Sequence, residues 1–336
     1  MIEKDFAELA LFITGPTWIR PEARAAAALP EFGHRDAENI KRFGPIFAHL
    51  RTMARVGQER DVILFNGSGS TALEAAVRSL VADGETVLNV SVGAFGDLFH
   101  KMAVLNGKKA AQLKFAAGEA IDLVPVVDGV SLFGGADARI PESDPVMYVT
   151  STQKSLGVHA GFGIAFVSAE ALDKAAQVAN RGYSSDIVTQ VNTARKSQTL
   201  TTPNGGLANQ LAVQLDYIVN VEGIAKRYAR HEAMRDMVAA WVERQPGFDF
   251  LAAEGFRSPT LTALRTPEGL GSAGLKRVKE AMRERGYLFD TGYGKLNVEL
   301  ESQGARPICR IGHMGDITPE MLAKYLDDLG RVLAQA

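Results

Sequence analysis

Short apolar runs alternate with stretches whose apolar residues recur every three or four positions, from residue 60 almost to the end of the chain. Val62-Ile63-Leu64-Phe65 is the first run, closed by Asn66-Gly67-Ser68-Gly69-Ser70, and from Leu73 onward Ala76, Val77, Leu80 and Val81 return at helical spacing. The pattern predicts strand, glycine loop and helix, with Thr71 and Glu74 at capping-box spacing to fix the helix start. Further strands are predicted at residues 86–90, 110–115, 124–127 (ending on Asp128), 146–149 and, returning after a turn, 161–167. Strands and helices in alternation predict an α/β fold with a mainly parallel central sheet flanked by helices. Four of these strands end on polar or glycine-rich segments, and ligands of an open α/β sheet sit at the carboxyl ends of its strands.

A long helix is predicted from about Leu207, its apolar face marked by Leu211, Leu215, Ile218 and Val219. Beyond it the pattern gives a helix at 228–243, a strand at 260–264, a helix at 275–285 and a strand at 308–311. The closing helix opens on Thr318-Pro319, an N-cap followed by proline at the first helical position, and offers Leu322, Leu326, Leu329 and Leu333 to a core. The expected division is a large domain over residues 1–223 and a smaller C-terminal α/β domain over 224–336.

With 336 residues, 46% hydrophobic and 23% charged, the composition is that of an ordinary globular protein and not of a tail or scaffold. A formal net charge of -2 supplies no overall attraction to nucleic acid or anionic lipid, so neither is expected as a partner. No apolar stretch approaches the ~20 residues of a membrane helix. Cys309 is the single cysteine, and the first residues carry Glu3, Asp5 and Glu8 where a secretory leader would be basic and then apolar. A cytoplasmic protein is expected.

Three segments carry candidate chemistry. Ser68, Gly69 and Ser70 lead into a helix N-terminus, where amides, hydroxyls and the helix dipole can hold a phosphate; the alternative is a tight glycine turn. Asp128 ends an apolar strand, as a site carboxylate or a turn aspartate. Lys154 follows another, in Ser151-Thr152-Gln153-Lys154, where a desolvated lysine acquires the lowered pKa needed to attack an aldehyde; the alternative is a lysine reaching out to solvent. Phosphate loop, strand-end carboxylate and strand-end lysine, in that order, are the parts of a site for pyridoxal 5'-phosphate. No metal site is expected.

With these residues the chain resembles the class V aminotransferases of fold type I, near the phosphoserine and alanine/serine-glyoxylate branches. The markers are Thr14-Gly15-Pro16-Thr17, Gly33-His34-Arg35, Gly67-Ser68-Gly69-Ser70, Gly93-Ala94-Phe95-Gly96-Asp97, the stretch from Asp128 to Gly135, Ser151-Thr152-Gln153-Lys154, Thr201-Thr202-Pro203 and the run from Arg310 to Asp316. They extend over nearly the whole chain in family order. The resemblance implies a transaminase that moves the amino group of phosphoserine, serine or alanine to 2-oxoglutarate, glyoxylate or pyruvate. It implies that Lys154 holds the cofactor's aldehyde and later shuttles a proton, that Asp128 pairs with the ring nitrogen, and that Phe95 stacks on the ring. Residue type alone reads Phe95 equally as core. By the same resemblance Ser68, Gly69, Ser70 and Gln153 hold the phosphate, and Gln198 and Thr201 reach it from a second subunit, so that a homodimer is required. Arg310, with Gly15, would take the substrate carboxylate; an ordinary ion pair, with Asp316 near in sequence, is the alternative. His34 and Arg35 occupy the position that contacts the substrate phosphate in phosphoserine aminotransferases, although Arg35 could equally pair with Asp36 or Glu38.

Two departures from the family pattern matter. Cysteine desulfurases carry a histidine before the lysine and a mobile cysteine, whereas this chain has Gln153 and a strand-bound Cys309, so desulfuration is not expected. A whole βα unit before the Asp128 strand is also missing, since the link from Phe115 to Val124 is too short for a crossover helix. That gap supports a second expectation, a cofactor-binding but catalytically impaired aminotransferase-like protein.

Overall fold

The computed structural model describes residues 9–119 and 126–335. In chain order its strands are β1 (Ala10–Phe12), β2 (Arg60–Gly67), β3 (Thr86–Ser91), β4 (Lys109–Lys114), β5 (Val126–Asp128), β6 (Met147–Ser151), β7 (Gly161–Ser168), β8 (Asp249–Phe250), β9 (Leu261–Arg265), β10 (Tyr287–Phe289) and β11 (Ile308–Gly312). The chain forms two compact units, Ile19–Arg227 and Met1–Trp18 with Tyr228–Ala336.

In the unit Ile19–Arg227, a four-stranded sheet has the order β2-β7-β6-β5. Strand β7 runs antiparallel to both neighbours, and β5 runs parallel to β6, so β2, β6 and β5 share one direction. Successive residues of β2 serve two cores, as the period of two requires. Val62 and Leu64 join Phe43, Ile46 and Leu50 of the helix Ile40–Ala54 and Leu211 and Leu215 of the helix Gly205–Asp216. Ile63 and Phe65 face the other way, toward Leu73 and Ala76 of the helix Gly69–Leu80 and Ile187 and Val191 of the helix Ile187–Ala194. Both faces of the sheet are covered, which is why β6 and β7 read as continuous apolar runs. Strands β3 and β4 form a separate parallel pair joined by the helix Ala94–Leu105. Among the described residues, one edge of β3 and one edge of β5 have no strand partner. Val87, Leu88, Val90 and Val126 line an apolar groove of about 620 Å³ there.

The first helix starts earlier than its sequence pattern predicts. Ser68, not Thr71, is the N-cap, and its amide donates to Thr71 Oγ1 at 3.2 Å. Glu74, expected to close a capping box with Thr71, instead accepts from Asn106 Nδ2 at 3.2 Å. The spacing fitted both boxes, but only the earlier one puts the glycine loop directly on the helix end. The expected start of the 124–127 strand, and residues 120–123 of the link from Phe115 to Val124, lie outside the described residues.

The other unit is built on the antiparallel sheet β11-β9-β8 and the parallel pair β1-β10. Phe12 stacks on Tyr325 at 3.9 Å between ring centroids, and Leu322, Leu326 and Leu329 of the helix Pro319–Leu333 are buried, with Leu333 packed at the core's margin. Among the described residues no helix is long and apolar enough to cross a membrane.

Candidate active site

Strand β6 delivers the chain into a tight loop that buries Lys154, which is 7% exposed. The loop is stapled from within: Gly157 N donates to the Lys154 carbonyl at 2.9 Å, Val158 N to the Thr152 carbonyl at 3.3 Å, and Thr152 Oγ1 to the His159 carbonyl at 2.7 Å. Lys154 Nζ lies 5.9 Å from the centre of the Phe95 ring, at the limit of a cation–π contact. Phe95 is 51% exposed, so it is not a core residue. A lysine thus lies buried beside an aromatic face that remains open, the setting a flat ring can enter.

Next to it is the N-terminus of the helix Gly69–Leu80, where Ser68 caps the Thr71 amide and the amides of Gly69 and Ser70 precede any intrahelical acceptor. The backbone approaches here too closely for a side chain: a Cβ on Gly69 would stand 2.7 Å from Val130 Cγ2 and 3.4 Å from Ser151 Oγ. Ser151 Oγ and Gln153 Oε1 are buried without a hydrogen-bond partner among the described residues. Orphaned polar atoms of this kind cost free energy unless a ligand satisfies them. Clustered with a helix N-terminus, they fit a phosphate-bearing, polar group. Asn66, at the end of β2, donates through Nδ2 to Thr201 Oγ1 at 2.6 Å and to the Thr201 carbonyl at 3.1 Å, fixing Thr201 at this rim.

Asp128 ends β5, and its Oδ1 accepts from Val130 N at 3.0 Å. The protein packed around the carboxyl raises its pKa above the usual aspartate value, while the Val130 amide and the charge of Lys154 pull the other way. The aspartate therefore organises a turn and also feels the lysine.

His34 and Arg35 meet the 198–202 segment of their own chain. Arg35 donates to the Leu200 carbonyl at 2.9 Å and, at 3.4 Å, to the Thr199 carbonyl and Gln198 Oε1; His34 Nε2 is 3.4 Å from Thr202 Oγ1. Neither Asp36 nor Glu38 takes the Arg35 guanidinium in these bonds: Asp36 caps the Glu38 amide, and Glu38 pairs with Lys41.

In the second unit Arg310 lies on β11, and its Nε and one terminal nitrogen donate to Asp290 Oδ1 at 3.2 and 3.1 Å. Thr14 N donates to the other oxygen of Asp290 at 3.2 Å, so the segment containing Gly15 is tied to the same carboxylate. Cys309, beside Arg310 in sequence, is buried, and burial together with the Asp290 charge pushes its thiol up to about 12. A thiol so held is a packing group and not a nucleophile.

Sequence reasoning did not find Asp290, Asn66 or Ser151. Asp290 follows the three-residue strand β10, too short to read, and Asn66 is in sequence only the start of the glycine loop. Ser151 opens Ser151-Thr152-Gln153-Lys154, where a serine by itself carries no mark of a site.

No protein-family model matches the chain. It is 27% identical to an uncharacterized aminotransferase of Methanocaldococcus jannaschii, over 93% of this chain and 89% of that one. It is 28% identical to a serine–glyoxylate aminotransferase of Hyphomicrobium methylovorum, over 94% of this chain and 87% of that one. Among solved structures, an alanine–glyoxylate aminotransferase from Nostoc sp. superposes with a TM-score of 0.85 at 21% identity, covering 98% of this chain and 96% of that one.

Proposed function

This chain is a homologue of the class V-like aminotransferases, built on the fold-type-I architecture, and a transaminase that uses pyridoxal 5'-phosphate; from that premise we propose how its residues divide the work. The observation that carries the assignment is the buried Lys154 beside the open face of Phe95, with Ser151 Oγ and Gln153 Oε1 waiting for polar partners. The alternative of a catalytically impaired binder is not favoured, because the relatives that align over nearly the whole chain are aminotransferases.

When bound, pyridoxal phosphate supplies an aldehyde that primary amines can condense with and a pyridine ring that withdraws electrons. Lys154 Nζ is the amine that would hold that aldehyde and the base that would move a proton at the substrate Cα. Asp128 would hold a proton at the ring nitrogen, and Phe95 would stack on the ring. Ser68, Gly69 and Ser70 bind the phosphate at the helix N-terminus, with Gln153 beside them. Arg310 clamps the substrate carboxylate, held to its angle by Asp290, and Gly15 lines the same position. We further propose a cytoplasmic homodimer active in amino-acid metabolism, in which Gln198 and Thr201 serve the neighbouring subunit's phosphate. The bonds from Arg35 and Asn66 would give that segment its shape.

For substrates we favour serine or alanine as donor and glyoxylate or pyruvate as acceptor. Arg35 spends its donors on the carbonyls of Thr199 and Leu200, which leaves less of its fork for a substrate phosphate. Phosphoserine with 2-oxoglutarate is the second reading, carried by the His34-Arg35 pair.

The test is an absorbance spectrum of the protein with pyridoxal phosphate, before and after L-alanine, L-serine and L-phosphoserine, alongside Lys154→Ala. A long-wavelength band that needs Lys154 and bleaches with serine or alanine is expected. Bleaching by phosphoserine alone would transfer the assignment to the second reading, and a band indifferent to all three donors would sink the transaminase.

A further inference from the structure

Arg227 is 0% exposed, and a guanidinium withdrawn from water this completely is costly unless every direction of its fork is answered. Its Nε donates to the Gly134 carbonyl at 2.8 Å, one terminal nitrogen to the Ser155 carbonyl at 2.7 Å, and the other to Glu222 Oε2 at 2.6 Å. The two carbonyls belong to different loops. Ser155 is the residue after Lys154, and Gly134 lies in the loop that begins at Asp128 and is anchored by Gly129 N donating to the Val149 carbonyl at 2.8 Å. The loops touch without an intervening side chain: Gly134 has φ +89, and a Cβ there would stand 3.3 Å from Ser155 C and from Leu156 N. Glu222 is brought to the arginine by the turn at Gly223, whose carbonyl accepts from Arg227 N at 2.9 Å.

We propose that Arg227 is a positioning residue, whose planar fork locks the Asp128 loop to the Lys154 loop and so sets the spacing of carboxylate and amine. This rests on the roles given above to Asp128 and Lys154. A planar guanidinium can serve two carbonyls and a carboxylate at fixed angles; an ammonium at the end of a flexible stem serves them one at a time. Arg227→Lys therefore keeps the charge and loses the lock. Arg227→Met with Glu222→Gln removes the lock without stranding a buried carboxylate.

Arg60 is the comparison. It is buried in the same unit, donates to the Pro145 carbonyl at 2.6 Å, pairs with Asp144, and begins β2 at the end opposite the glycine loop.

Two measurements decide the matter. In cofactor-free protein, the pH dependence of reductive methylation at Lys154, followed by peptide mass spectrometry, is expected to change in both Arg227 variants, with labelling faster by roughly tenfold, and to stay at wild type in Arg60→Lys. In the loaded protein, the pH midpoint of the Lys154-dependent band is expected to move, and kcat of the half-reaction to fall about tenfold with little change in donor KM. If the Arg227 variants only melt earlier, as Arg60→Lys does, with Lys154 labelling and band midpoint unchanged, the positioning role is overturned. If wild type shows no Lys154-dependent band, the transaminase reading fails, and the labelling experiment still decides whether Arg227 holds Lys154.

Discussion

The Lys154 loop and the Arg310 strand both present a cation, and they differ in what surrounds it. Around Lys154 polar atoms are left over: Ser151 Oγ and Gln153 Oε1 are buried with no partner among the described residues. Around Arg310 the carboxylate of Asp290 is engaged on both oxygens, by the guanidinium and by Thr14 N. The first arrangement stores a deficit that a ligand can remove. The second holds a guanidinium at a set angle. Reading both simply as motifs would miss that one leaves polar atoms to be satisfied and the other has them paired.

The largest effect that would sharpen this contrast lies on the fixed side. His313, three residues past Arg310 at the exit of strand β11, is fully buried and its Nε2 lies 3.0 Å from Thr262 Oγ1; burial pushes its pKa down to about 4 from 6.5. The folded imidazole stays neutral where the unfolded one takes up a proton. Stability contributed by the neutral histidine is therefore complete above pH 6.5 and is lost as pH falls toward 4, a change on the order of 3 kcal/mol. Thermal melts of wild type against His313→Gln across that window should show the wild type losing more; parallel pH profiles would refute the assignment.

Smaller, and confined to substrate, is Arg310→Lys. It keeps the charge and loses the fork, so donor KM should rise roughly 10-fold or more while cofactor affinity holds. An unchanged KM would mean that the ion pair with Asp290 is structural only.

Smallest is Ser151→Ala. It removes an unsatisfied oxygen, so the cofactor-free protein should be no less stable, while cofactor affinity should drop by about 2- to 10-fold. Loss of stability without loss of affinity would show that the hydroxyl belongs to the fold and not to a ligand.

How much of this was legible in the sequence follows from how local each signal is. Lys154, Asp128 and Ser68 each stand where a short continuous apolar run gives way to polar residues, and both sides of that break are visible within ten positions. Phe95 was left open between core and site, since a phenylalanine carries no mark of its exposure. Asp290, Arg227 and Asn66 could not be read, because each acts on a partner brought close only by the fold: Thr14 for Asp290, Gly134 and Ser155 for Arg227, Thr201 for Asn66. The capping error had the same origin. Thr71 suited two boxes, and the long-range claim of Asn106 on Glu74 decided between them. Strands β1 and β10, three residues each, carry too few positions to show a period.

The separate β3-β4 pair has a consequence in the time domain. Its strands are joined through one helix and, among the described residues, pair as strands with each other alone, and most of their residues remain partly or fully exposed. Segments with so little burial open at a lower free energy than the core that contains them. Phe95 opens the helix of that pair, whereas Lys154 follows the wholly buried β6. The two faces of the pocket therefore breathe at different rates, and amide exchange should find the aromatic wall loosening while the lysine stays shut.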